Sequence, residues 1–322
     1  MIQPVMALGN QEAAATNEIT IRVGSLPGPS SVSMSPYILQ PSRLGKSTTL
    51  EIQVFSNPNL AISQLLSKEI DAAVIPANLA AVLHHRDANI QIAGITGTGM
   101  LYLLALGDAL PDNSSIEDLR GKRIHTIARG ATPDVLLRAL AAEAGLNPDQ
   151  DFEIIYSSDQ TELARNLIAG RTEIALMPEP FVSRVLESNP SLRIKGNLQE
   201  LYSNYSNQQT YPMTALVIRS DFAAQHCNAI QNWLSDMPAA QQWLRNNLEE
   251  AAEAAAPAVG IPTATIINSF ERMNTGWTPA QEAEQSFRRF IQFFLSINPA
   301  AVGGEQPDNS IMLNLSCFPA EE

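Results

Sequence analysis

Between residues 19 and 95 the chain alternates short runs of β-branched and aliphatic residues with stretches of helical spacing. ITIRVGS (19–25) runs into the breaker cluster Leu26-Pro27-Gly28-Pro29-Ser30-Ser31, so a strand ends where a helix can begin. EIQVF (51–55), AAVI (72–75) and IQIAGI (90–95) read as further strands, with helices to about Lys68 and His85 between them. The order recurs after SIEDLRGK. RIHTIA (123–128) precedes a helix over 132–144 with Leu137, Leu140, Ala141 and Ala144 on one face, and EIIY (153–156) follows. Alternation of this kind predicts an α/β protein of two lobes, each a mainly parallel sheet flanked by helices.

The halves align without gaps at one offset, since 153 − 51 = 102. It pairs Gly28 with Gly130, Ser30 with Thr132, Ser56 with Ser158, Asn57 with Asp159, Asp71 with Glu173 and Pro76 with Pro178. Duplication and convergence of two βαβ units both explain this, and both predict the same architecture. Open α/β sheets bind ligands beyond the carboxyl ends of their strands, so the paired loops are the expected walls of one crevice.

After Ile194 comes the turn-rich LQELYSNYSNQQTYP, then another strand, MTALVIR (213–219). The remainder reads as helical around 229–256, 263–273 and 279–297, the last carrying Phe287, Phe290, Ile291 and Phe294 on one face. The expected division is lobe I over 18–106 and 212–298, lobe II over 107–211, a flexible leader 1–17, and a C-terminal tail 299–322 read as a surface strap held at Cys317.

Composition narrows the function. The 322 residues suit two lobes, and 45% hydrophobic with 16% charged residues is an ordinary globular balance. A net charge of −13 repels phosphate backbones, so no nucleic acid is expected as a partner. No run reaches the roughly 20 apolar residues of a membrane helix. The opening MIQPVMALGNQEAAATN has neither a basic start nor an apolar segment, so it reads as the leader of a processed, exported chain or as an added sequence rather than as a signal peptide. Cys227 and Cys317 exclude a four-thiolate metal site and leave one disulfide or two separate thiols. His84 and His85 are adjacent on a helix, His125 and His226 stand alone, and no metal site or cofactor is expected.

The candidate ligand-binding residues follow from the crevice. Gly28-Pro29-Ser30-Ser31 and Gly130-Ala131-Thr132 each place a flexible Gly, a hydroxyl and backbone donors at a helix start, which suits a polar oxygen or an anion. Capping alone is the simpler role for those hydroxyls. Asn78 and Glu179 follow matched strands, Thr96-Gly97-Thr98 is expected on the floor, and Tyr211 is a ring able to stack on a planar ligand. No nucleophile–base motif is present, and no catalytic residue is expected.

The segments GSLPGPSSVSM (24–34), DAAVIPANLAAVL (71–83), DLRGKRIHTIARGATPDVLLRAL (118–140) and IALMPEPFVSRVL (174–186), in this order, resemble ABC-transporter substrate-binding proteins of the NMT1/THI5-like branch, related to sulfonate, nitrate, taurine and thiamine-precursor binders. The resemblance implies a type II periplasmic-binding-protein fold with two crossover hinge strands, about 100–106 and 213–219. It also implies capture of a small organic or oxyanionic solute by hinge closure, for a membrane permease and its ATPase. The expected protein is a monomer at the periplasmic or extracellular face, with lipid anchoring through a removed N-terminal segment as one form. The same branch and fold include pyrimidine-pathway and menaquinone-pathway enzymes and ligand-sensing lobes, which stand as the alternatives. A Cys-rich cluster like that of the pyrimidine synthases is absent from the sequence.

Overall fold

The structure is a computed structural model that describes residues 18–315 and 317; the expected leader, 1–17, lies outside them. The first half runs β1 (Ile19–Ser25), α1 (Pro29–Ser33), α2 (Ser35–Leu39), β2 (Thr48–Val54), α3 (Pro58–Leu66), β3 (Ala72–Pro76), α4 (Ala77–His84) and β4 (Ile90–Thr98). The second runs β5 (Leu101–Leu106), β6 (Arg123–Ile127), α5 (Thr132–Glu143), β7 (Glu153–Ser157), α6 (Gln160–Ile168), β8 (Ile174–Pro178), α7 (Phe181–Ser188), β9 (Leu192–Asn197) and α8 (Leu198–Ser206). The chain continues with β10 (Pro212–Arg219), α9 (Ser220–Gln225), α10 (Cys227–Asn246), α11 (Leu248–Val259), α12 (Thr263–Ser269), β11 (Thr275–Pro279) and α13 (Ala280–Leu295).

Two sheets result, in the orders β11-β4-β10-β3-β1-β2 and β7-β6-β8-β5-β9. In the first, β1 to β4 share one direction, and β10 and β11 run against them. In the second, β6 to β9 share one direction, and β5 alone is reversed. Both sheets are therefore mixed, and the majority direction is the parallel one expected from βαβ alternation. The strands at the centre of each sheet, β3 and β8, are buried along their whole length and read AAVIP and IALMP, the continuous apolar run of a strand covered on both faces.

The reversed strands β5 and β10 are the ones the chain lays down as it passes between sheets. It crosses at Gly99–Met100, both with positive φ, and returns between residues 207 and 212. Gly99 N–H donates to Tyr211 C=O at 3.1 Å and couples the crossings. Because β5 pairs with β8 and β9 along its length, the first change of sheet falls before residue 106, the limit expected for lobe I.

The 102-residue offset survives folding. Ala72–Pro76 maps onto Ile174–Pro178, and Pro58–Leu66 onto Gln160–Ile168. The N-caps match as well: Asn57 accepts from Leu60 N–H and Asp159 from Glu162 N–H.

Three features depart from the sequence reading. Residues 198–206 form α8 rather than turns, because Asn197 caps them and Leu198 and Tyr202 face the core. The helical stretch near 229–256 is two helices broken at Asn247. The tail is more than a surface strap: two 3₁₀ turns bury Val302 and Ile311, and Leu313 N–H donates to Ile92 C=O at 2.8 Å. Cys227 and Cys317 are disulfide-bonded, closing a loop of 90 residues. No described helix is long and apolar enough to cross a membrane.

Candidate functional site

The two sheets present the carboxyl ends of their parallel strands to one cleft of about 350 Å³. The turn after β1 contributes Leu26, Pro27, Pro29 and Ser30; the turn after β6 contributes Ala128, Arg129, Gly130 and Ala131. Ser56, Asn57 and Pro58 lead into α3 on one side, and Ser158, Asp159 and Gln160 lead into α6 on the other. Pro76 and Pro178 end the matched strands, and Met100, Met213 and Thr214 come from the crossing segments. The cleft is a concave, mainly apolar chamber with a few polar groups, the usual form of a small-molecule site.

Of the expected ligand-binding residues, Pro29, Ser30, Gly130 and Ala131 line this cleft. The others lie behind it, for identifiable reasons. Gly28, at φ 110°, begins α1 against the Glu179 carbonyl and the Pro180 ring on the other lobe; a Cβ there would lie 3.6 Å from each. Ser31 is buried and donates to Leu26 C=O at 2.7 Å. Thr96, Gly97 and Thr98 are the end of β4, where Thr96 and Gly97 pack against Thr214 and Met100 and Thr98 N–H donates to Asn274 C=O. Thr96 Oγ1 lies 2.9 Å from Thr214 Oγ1, and a Cβ on Gly97 would meet Met100 Cε at 2.5 Å. Tyr211 is fully buried with its ring stacked on Phe290, so it is a core aromatic and not a ligand platform.

Asn78, Thr132 and Glu179 join the two lobes. Asn78 Nδ2 donates to Gly130 C=O at 2.8 Å and to Ala301 C=O at 3.0 Å, and Thr132 Oγ1 donates to Asn78 Oδ1 at 3.1 Å. Thr132 is thereby buried in a contact between lobes and takes no part in capping α5. On the other flank Glu179 is wholly buried. Its Oε2 accepts Ser183 N–H at 2.9 Å, and its Oε1 accepts Arg272 Nε–H at 2.6 Å. Burial raises the Glu179 carboxyl above its ordinary value, and Ser183 and Arg272 pull it back.

The loops before α3 and α6, with Arg129 and Tyr156, were not among the expected residues. The offset contained their signal: Ser56/Ser158 and Asn57/Asp159 are matched polar pairs at helix starts, as Ser30/Thr132 is.

The lobe II wall carries its own carboxylates. Asp134 Oδ2 accepts Gly130 N–H at 2.7 Å, while its Oδ1 accepts from Tyr156 OH at 2.6 Å and from Arg138 Nε at 2.8 Å. Burial and the adjoining Asp134 push the Tyr156 hydroxyl up to about 12. Glu162 Oε2 accepts from Ser158 N–H at 2.7 Å and Ser158 Oγ at 2.6 Å. Arg129 lies over the Tyr156 ring at 5.5 Å. No His, Cys or Lys lines the cleft among the described residues.

A model of the NMT1-like family matches residues 41–259. Among curated proteins none matches this chain in sequence. Solved structures do resemble it. An ABC transporter from Parabacteroides distasonis is 25% identical with a TM-score of 0.74, over 92% of this chain and 99% of that one. The periplasmic aliphatic sulphonate-binding protein SsuA of Escherichia coli is 16% identical with a TM-score of 0.72, over 94% of both chains. The periplasmic nitrate-binding protein NrtA of Synechocystis PCC 6803 is 16% identical with a TM-score of 0.68, over 87% of this chain and 82% of that one. The likeness to the last two is one of fold.

Proposed function

The chain belongs to the NMT1-like family, and from that premise we propose that it is the extracytoplasmic solute-binding component of an ABC importer, holding a small organic molecule between its lobes. The observation that carries this reading is the cleft of about 350 Å³, walled by loops that occupy matched positions in the two halves. A molecule there touches Pro29 and Ser30 on one side and Gly130 and Ala131 on the other, so its binding energy is available to close the lobes. The crossings at Gly99–Met100 and near Asn207 are the hinge, where positive φ already departs from regular structure. Asn78, Thr132, Glu179 and Arg272 tie the closed form.

The partners are a membrane permease and its ATPase, which read the closed shape, and the protein works as a monomer. The disulfide supports a place outside the cytoplasm, where such bonds persist. Binding without turnover fits a cleft wall of hydroxyls, amides and apolar side chains in which Arg129 and Asp159 are the charged groups among the described residues.

Small-angle scattering and calorimetry on the purified protein test this, with candidate solutes drawn from a small-molecule extract. The expected result is a saturable ligand that lowers the radius of gyration and is recovered unchanged. A ligand recovered in chemically altered form, in proportion to protein and time, would sink the reading.

A further inference from the structure

We infer that the cleft selects an uncharged organic solute over a free oxyanion, with Gln160 as the residue that reads its hydrogen-bonding group. This rests on the reading of the cleft as the solute site.

Anions are held at helix starts because backbone N–H groups and the positive end of the helix dipole converge there. In lobe II both helix starts facing the cleft are already occupied by the protein's own carboxylates. Asp134, in the first turn of α5, accepts Gly130 N–H; Glu162, in the first turn of α6, accepts Ser158 N–H. Each takes a backbone donor just ahead of its helix that an incoming sulfonate or nitrate could use, and adds a negative charge beside it.

Among the described residues no buried cation lines the cleft to offset this. Arg129 is the single cationic residue among the described ones that line it, and it is exposed and lies over the Tyr156 ring; Asp159 lines the same wall. Arg138 is already engaged by Asp134 and Asp149. The remaining surface is mainly apolar and rigid, with Pro27, Pro29, Pro58, Pro76, Pro133 and Pro178 around it. Such a wall rewards an apolar body.

One polar group in this wall lacks a counterpart. Gln160 Oε1 is buried and has no hydrogen-bond partner among the described residues. An atom closed to water is closed to a solute as well, so it is the other end of this cleft-lining amide, Nε2, that can donate to an acceptor on the solute and favour it over an apolar molecule of the same size.

The test has two arms. In the first, the wild-type protein is titrated calorimetrically with MOPS and with potassium nitrate, in parallel with the Asp134→Asn and Glu162→Gln variants. No saturable binding is expected for wild type below millimolar concentration, and MOPS should tighten about tenfold in either variant as a repelling charge is removed. Glu162 is only partly buried, so its variant reports even if Asp134→Asn folds poorly. In the second, native mass spectrometry identifies the molecule retained from a small-molecule extract by wild type and by Gln160→Leu. A retained uncharged molecule, bound about tenfold more weakly by Gln160→Leu, is expected. Micromolar binding of MOPS or nitrate by wild type, or a retained anion, would overturn the inference while leaving the solute-binding reading intact. If neither probe binds and no molecule is retained, that reading falls and the inference with it.

Discussion

The two walls of the cleft share one frame and differ in charge. Lobe I offers Val32, Pro36, Val54 and Leu60 where lobe II, 102 residues on, offers Asp134, Arg138, Tyr156 and Glu162. β3 and β8, and α3 and α6 with their N-caps, coincide at this offset, yet Val32 is buried among apolar side chains where Asp134 sits in a hydrogen-bonded network, and Leu60 is exposed where Glu162 accepts Ser158 N–H. The frame needs only buried faces and caps, which many side chains supply. What stands behind the helix start is free to differ, and that is where the two walls acquire separate roles. Lobe I contributes a mainly apolar surface, and lobe II contributes polar groups whose strongest donors are already taken.

The largest test of this contrast moves the charge across it. Val32→Asp places a carboxylate at a fully buried position whose neighbours in the matched network are Pro36 and Val54 rather than Arg138 and Tyr156. The loss should be about 3 to 5 kcal/mol, measured by denaturant unfolding. A loss below 1 kcal/mol would mean that the lobe I site is solvated and the contrast unreal.

Next in size is the tie made by Glu179, whose matched residue is Ala77. Arg272→Ala leaves the buried carboxylate with Ser183 alone, and should cost about 2 to 3 kcal/mol at neutral pH. Glu179 has its folded pKa raised by burial above the ordinary 4.5, so its contribution is most favourable below that value and is lost as pH rises through the folded one. Arg272 opposes the rise, so the gap in Tm between wild type and variant should widen from pH 4.5 toward neutrality. A gap that stays flat would place the pair outside the stability of this form.

Smaller effects separate the matched hydroxyls. Thr132→Val leaves Asn78 Oδ1 without its donor and should cost about 1 to 2 kcal/mol of stability. Ser30→Ala, at the equivalent place in lobe I but lining the cleft, should change stability by less than about 0.5 kcal/mol and act on ligand affinity instead. Thermal melts alongside calorimetry with the retained molecule would distinguish them; equal effects on both readouts would erase the assigned difference.

Much of the fold was legible in the chain because its signals are local. Periodicity marked β1, β3, α5 and α13, and the 102-residue offset paired Asn57 with Asp159 and Pro76 with Pro178, which are the N-cap of α6 and the end of β8. The elements that escaped are those decided by partners distant in sequence. β11 is a strand because it pairs with β4, and α8 forms because Leu198 and Tyr202 find a core to enter. The site divides in the same way. Pro29, Ser30, Gly130 and Ala131 were legible as turns between a strand and a helix, and they line the cleft. Tyr211 was not, since a tyrosine near a crossing segment reads alike whether it faces the cleft or, as here, Phe290.

By itself the sequence determined the α/β class, the two matched halves and the crevice between them, because each follows from hydrophobic period, turn residues and strand order, which neighbouring residues dictate. Only the tertiary structure decided which way each polar group near that crevice turns. Thr132 meets Asn78 across the lobes, Glu179 meets Arg272, and Asp134 folds back on Gly130, contacts spanning 54, 93 and 4 positions. Even the shortest of them depends on Tyr156 arriving from β7, beside Arg138 one turn along α5, to satisfy the same carboxylate. A buried polar group takes whichever partner the packed chain brings within about 3 Å, and that choice is made by the assembled fold.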